Sequence, residues 1–126
     1  MARILIVEDD VLQSEALEVL ISARGHSVCA MARTAEEGLY LAKSNKPDIV
    51  LMDVRLNSHL DGIDAAALIS KTCDCGIVFV TGLADPHTMA RIGKITPQGV
   101  TIIKPASGPE IENAINRAID RKPLVT

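Results

Sequence analysis

The chain has 126 residues, 48% hydrophobic and 23% charged, a size and balance that suit one globular domain around a single core. A net charge of −3 without any basic run argues against nucleic-acid binding by this chain alone. No apolar run approaches the roughly 20 residues that span a bilayer, and the first residues lack the pattern of a secretory signal, so a cytoplasmic protein without membrane attachment is expected.

Aromatic residues make up only 2% of the chain, with one Tyr, one Phe and no Trp, so the core must be built from aliphatic side chains. The three cysteines, Cys29, Cys73 and Cys75, read as free thiols. Cys73-Asp74-Cys75 offers two thiolates, and no His stands at a spacing that would complete a zinc site.

Five short apolar runs alternate with helix-like segments. The first is Ile4-Leu5-Ile6-Val7, closed by Glu8-Asp9-Asp10. Asp10 then precedes Val11, with Gln13 three residues on, a start resembling a capping box. Leu12, Ala16, Val19 and Leu20 form the expected buried stripe of that helix, and Gly25 its stop. Val28 to Ala32 is a weaker run, and Thr34 with Glu37 is a second capping box whose helix Pro47 closes. Ile49-Val50-Leu51-Met52 is the third run, Ile77-Val78-Phe79-Val80 the fourth and Val100 to Ile103 the fifth. Asp85-Pro86 reads as a cap and first helical position, and Pro109 opens a last helix with Ile111, Ala114, Ile115, Ala118 and Ile119 on one face.

Unbroken apolar runs indicate strands buried on both faces. Five of them, joined by right-handed helical crossovers, give an open doubly wound (βα)5 parallel sheet. One domain over 1–122 with a short tail at 123–126 is expected.

Ligands of such sheets collect beyond the carboxyl ends of the strands. There the sequence offers Glu8-Asp9-Asp10 after strand one, Asp53 after strand three, Thr81 after strand four and Lys104-Pro105 after strand five. Each has an ordinary alternative: Asp10 as a helix cap, the others as strand-end or surface residues. Their joint placement at one mouth is what suggests chemistry. Crowded carboxylates favour a hard divalent cation. A hydroxyl and a lysine suit a phosphoryl group, and an isolated aspartate can act as its nucleophile.

Taken together, Ile4-Leu5-Ile6-Val7-Glu8-Asp9-Asp10, Leu51-Met52-Asp53, Asp61-Gly62, Val80-Thr81-Gly82 and Ile103-Lys104-Pro105 resemble the receiver domain of bacterial two-component response regulators over essentially the whole chain. The resemblance implies a flavodoxin-like strand order 2-1-3-4-5. It also implies a phosphoacceptor switch in which Asp53 takes a phosphoryl group from a phosphohistidine of a sensor histidine kinase or histidine phosphotransfer protein. Mg2+ (or Mn2+) would be held by Asp9, Asp53 and the backbone carbonyl of Arg55, with Glu8 in support. Thr81 would be the switch hydroxyl, Lys104 the phosphoryl-contacting lysine, and Gly82 the small residue that leaves the phosphoryl group access. The Lys104–Pro105 bond would be cis, and a downstream protein target or effector domain would receive the signal.

Two features depart from the family pattern. Thr101 stands where an aromatic residue is usual, three positions before the lysine. The stretch from Arg55 to Asp61 is about one residue long and lacks the usual proline, carrying Asn57, Ser58 and His59 instead, with His59 expected in solvent. His26 and His87 are expected at the surface.

Three other classes compete. A haloacid-dehalogenase-like phosphatase would want a second Asp two residues after the nucleophile, where Arg55 stands. A flavin or nucleotide binder would want a phosphate-cradling loop after strand one, where acids stand instead. A degenerate receiver acting only as a binding module would lack the site residues that are present. A switch that catalyses only its own phosphorylation and dephosphorylation, without turnover of a small substrate, is the expectation that remains.

Overall fold

The structure is a computed structural model that describes residues 1–82, 85–95 and 100–120; the expected tail at 123–126 lies outside the described residues. Five strands alternate with five helices: β1 (Arg3–Val7), α1 (Val11–Ala23), β2 (Ser27–Ala32), α2 (Ala35–Asn45), β3 (Ile49–Asp53), α3 (Gly62–Thr72), β4 (Gly76–Thr81), α4 (Pro86–Ile95), β5 (Val100–Ile103) and α5 (Gly108–Asp120). The sheet is wholly parallel in the order β2-β1-β3-β4-β5.

Alternate residues of each central strand feed two separate cores, as the two-residue period of a strand requires. Leu5, Val7, Val50, Met52, Ile77 and Phe79 point to the side covered by α2, α3 and α4, where they meet Ala35, Ile63, Ala66, Ile69 and Ile92. Ile4, Ile6, Ile49, Leu51, Val78 and Val80 point to the other side, against Leu17 and Ile21 of α1 and Ile111, Ala114, Ile115 and Ala118 of α5. Each fully buried side chain of this kind contributes roughly 1.5–3 kcal/mol relative to exposure. The runs of β1, β3 and β4 are therefore correctly read as strands with two covered faces, whereas the edge strand β2 is mostly half-buried and β5 ends on an exposed Ile103.

The buried stripe expected of α1 is overturned. Leu12 and Val19 are 77% and 67% exposed, Ala16 is also exposed, and only Leu20 packs partly against the core. The helix instead buries Ser14, Leu17 and Ile21. Ser14 fits there because its hydroxyl donates to the Val11 carbonyl at 2.9 Å, which satisfies the polar atom within the helix. In α5 the expected face holds for Ile111, Ala114, Ile115 and Ala118, whereas Ile119 is 40% exposed. That helix is started by Ser107 and Glu110, a reciprocal capping box: the Ser107 amide and hydroxyl donate to Glu110 Oε1, and the Glu110 amide donates to Ser107 Oγ.

His26 also departs from expectation, because its ring is buried. Nδ1 accepts from the Ala2 amide at 2.9 Å, so Nε2 carries the proton and faces Glu112 Oε2 at 2.9 Å. His87 is exposed, as expected. Cys29, Cys73 and Cys75 form no disulfide with one another. Among the described residues no helix is long and apolar enough to cross a membrane.

Candidate functional site

The strand order brings the polar residues together. Val7 of β1 pairs with Met52 of β3, so the next residues on each strand, Glu8 and Asp53, leave the sheet side by side. Asp53 pairs with Val80, which places Thr81 one step beyond on the neighbouring strand. Thr81 pairs with Ile103, so Lys104 follows directly at the end of β5, and its amide donates to the Thr81 carbonyl at 2.9 Å. One carboxylate oxygen from each of Glu8, Asp9 and Asp53 lies within 4.8 Å of the others.

Lys104 reaches across this mouth. Its Nζ is 2.8 Å from Glu8 Oε1, 2.6 Å from Gln13 Oε1 and 3.5 Å from Asp53 Oδ2. Burial pushes the Lys104 ammonium toward deprotonation, but the hydrogen bond to Glu8 and the charges of Asp53 and Glu8 outweigh it, so its pKa is raised. The lysine is held charged.

Glu8 is only 2% exposed, and both of its oxygens are engaged: Oε1 by Lys104, Oε2 by the Asp10 amide at 3.2 Å. Asp9 is exposed and accepts the Asn57 amide on Oδ2 at 3.1 Å. Asp53 is buried. Three carboxylates thus face one ammonium, an excess of negative charge in a small volume. Hard oxygen donors in this arrangement fit a small divalent cation, with Asp9 and Asp53 better placed to offer oxygens than the doubly engaged Glu8. Asp10 caps α1, its Oδ1 accepting from the Gln13 amide at 3.1 Å.

The remaining expected residues sit around this centre. Thr81 is buried at the end of β4. Gly82, the next residue, is exposed, and a Cβ there would meet no atom within 4 Å outside its chain neighbours. Arg55 is exposed two residues beyond Asp53. Thr101 is half-buried on β5, opposite Phe79. The Lys104–Pro105 bond is cis.

The long segment after β3 is tied down at several points. The Asn57 amide reaches Asp9, and Ser58 Oγ accepts the Ala35 amide at 3.2 Å while donating to the Leu60 carbonyl at 2.7 Å. His59 stands in solvent. Asp61 caps α3 and is paired with Arg91 of α4 at 2.7 Å. Gly62 explains why a glycine follows: a Cβ at that position would lie 1.8 Å from the Asp53 carbonyl oxygen. Only a glycine lets α3 begin this close to the end of β3.

Sequence reasoning missed two contributors. Gln13 read only as a helix-cap partner, and its contact with Lys104 spans 91 positions that no local pattern encodes. Asn57 contributes through its backbone amide, which its side-chain identity does not announce.

The comparisons with known proteins agree with this geometry. The family model for the response regulator receiver domain matches residues 4–116. The protein PilH of Pseudomonas aeruginosa is 30% identical over 121 residues, which cover 94% of this chain and 98% of that protein. The phyllosphere-induced regulator PhyR of Methylorubrum extorquens is 31% identical over 118 residues, covering 93% of this chain and 43% of PhyR. The chain likewise spans 57% of the transcriptional regulatory protein PdtaR of Mycobacterium tuberculosis, so it matches about half the length of these two relatives. The crystal structure of the signal receiver domain of a modulated diguanylate cyclase from Desulfovibrio desulfuricans superposes with a TM-score of 0.88 at 31% identity, covering 95% of this chain and 94% of that one. The strand order, the cluster at the strand ends and the match over residues 4–116 have one reading: the chain belongs to the response regulator receiver domain family, a module of two-component signalling.

Proposed function

We propose that this domain is a phosphorylation switch whose acceptor is Asp53, loaded from a phosphohistidine on a sensor histidine kinase or a histidine phosphotransfer protein. The observation that carries this reading is the setting of Asp53: a buried carboxylate at the end of the central strand, beside Glu8 and Asp9, with the Lys104 ammonium 3.5 Å away. In the transfer, an Asp53 oxygen forms a bond to phosphorus as the P–N bond of the donor breaks. The electron pair of that bond stays on the imidazole nitrogen, and Asp53 becomes an acyl phosphate. Asp9, Asp53 and the Arg55 carbonyl would hold Mg2+ or Mn2+, which supplies charge neutralisation for the phosphoryl oxygens.

The chain's own residues do the rest. Glu8 keeps the Lys104 ammonium at the mouth and charged, ready to meet a phosphoryl oxygen. Thr81 supplies a hydroxyl donor on the adjacent strand, and Gly82 beside it is a small, exposed residue that suits access by the incoming group. With Thr101 in place of a ring, the response to phosphorylation runs through the segments after β3 and β4 more than through the outer face of β5. The domain turns over no small-molecule substrate, and its output passes to a downstream protein or an effector domain.

The test is intact mass after incubation with acetyl phosphate and Mg2+. The expected result is one phosphoryl adduct on the wild-type chain, none on Asp53→Asn, and none when the cation is chelated. A stable adduct on Asp53→Asn, or one mapped to another residue of the wild type, would overturn the assignment.

A further inference from the structure

The capping box that Asp10 and Gln13 should form is opened, and its pieces are used at the site. The Asp10 side chain accepts from the Gln13 amide in the usual way. The reciprocal bond, from the cap's own amide to the side chain three residues on, is not made: the Asp10 amide donates to Glu8 instead. This frees the Gln13 carboxamide, whose oxygen takes the shortest of the three contacts at Lys104 Nζ, 2.6 Å. The backbone of Gln13 is fixed by the cap, so this oxygen projects from a defined point at the start of α1.

An ammonium has three hydrogens. Two meet Gln13 and Glu8 at hydrogen-bond distance, while the Asp53 oxygen at 3.5 Å lies beyond the 2.7–3.2 Å range of a good N–H···O bond. We infer that Gln13 is a positioning residue for Lys104, holding the ammonium on the Glu8 side of the mouth and off the Asp53 carboxylate until a phosphoryl group arrives. The inference rests on the proposed role of Asp53. Without the Gln13 oxygen, Lys104 keeps only two anionic partners and closes on Asp53. The ion pair, loose at 3.5 Å in this structure, then tightens to a short hydrogen bond that ties up a lone pair of the carboxylate that must attack phosphorus. A neutral amide suits a temporary station, because a doubly charged phosphoryl group outcompetes it for the ammonium.

The experiment uses Gln13→Met, which keeps the shape of the side chain and removes its acceptor. With acetyl phosphate and Mg2+, the maximal phosphorylation rate is expected to fall about fivefold, the size of one net hydrogen bond. The half-saturating donor concentration and the melting temperature should stay as in the wild type. Made in a Lys104→Ala background, the same substitution should change nothing further. The Lys104 Nζ 15N resonance of the metal-free, unphosphorylated protein should shift in Gln13→Met and return toward the wild-type position in Gln13→Glu, which restores an acceptor. An equal rate loss in the Lys104→Ala background, or an unmoved Nζ resonance, would overturn the inference. Should the wild type take no phosphoryl group at all, the reading of Asp53 fails separately, and the Nζ resonance alone decides whether Gln13 holds the lysine.

Discussion

The two ends of the sheet handle polar groups in opposite ways. At the amino end the Ala2 and Arg3 donors each have their own acceptors. The Arg3 amide meets Asp48 Oδ2 at 2.8 Å, and the Arg3 guanidinium binds the Asn45 and Lys46 carbonyls that close α2. The Ala2 amide meets His26, which in turn faces Glu112 of α5. At the carboxyl end one ammonium is shared among three acceptors, and three carboxylates stand within 4.8 Å. Polar groups paired one to one add to the stability of a fold, whereas crowded like charges oppose it until a ligand compensates. The amino end is organised for stability and the carboxyl end for binding.

The sharpest way to break this division is at Gly62, where the fold and the site share a contact. An added methyl would lie 1.8 Å from the Asp53 carbonyl oxygen, a backbone atom that a rotamer change cannot move. Gly62→Ala is expected to destabilise the domain by about 3 kcal/mol, the upper part of the range for overpacking. It should also displace Asp53 and suppress the phosphoryl adduct even where the protein remains folded. Denaturant unfolding and intact mass measure the two effects. A fully stable, fully phosphorylated variant would show that α3 can back away from β3 without consequence.

A substitution at the amino end should separate the two properties. His26→Ala leaves the Ala2 amide without its buried acceptor and removes the bridge to Glu112. A loss of about 2 kcal/mol is expected, within the usual penalty for orphaning a buried donor. The phosphorylation rate of the folded protein should match the wild type, because His26 touches no residue of the mouth. A changed rate at unchanged stability would mean the two ends are coupled through α5.

How much of this could be read beforehand follows the same division. The strands were legible, because a parallel sheet covered on both faces demands unbroken apolar runs and Ile4–Val7 or Ile49–Met52 supply them. The covered faces of helices were less so. In α1 two apolar series interleave, Leu12-Ala16-Val19 and Leu17-Ile21, and hydropathy alone cannot say which one the sheet takes. The residues at the strand ends were legible as a set because the fold class predicts where strands end. Long-range polar pairing was not: Lys104 with Gln13 and His26 with the Ala2 amide depend on the register of elements far apart in sequence. Ser107 and Glu110 did carry their signature in sequence, with Pro109 between them as the more conspicuous helix signal.

The smallest expected effect lies on the rim of the mouth, at the clamp between α3 and α4. Burial pushes the Asp61 carboxyl up, but the hydrogen bond from Arg91, the Asp64 amide and the Arg91 charge outweigh it, and its pKa is lowered. A carboxyl depressed in the folded state binds its proton less readily there than in the unfolded chain. Its stabilising contribution is therefore present above the unfolded pKa and is lost as pH falls through the folded one. Both side chains are about one-third exposed, at 33% each, so solvent screens the pair and its value at neutral pH is under about 1 kcal/mol. Arg91→Gln should cost that amount near pH 7, and the gap from the wild type should narrow as pH drops below about 4, where an ordinary Asp begins to protonate. Parallel denaturant titrations of the two proteins between neutral and acid pH check the sign. A gap that stays constant would assign the loss to the packing of the arginine stem against α3, and a gap that widens in acid would contradict the direction of the Asp61 shift.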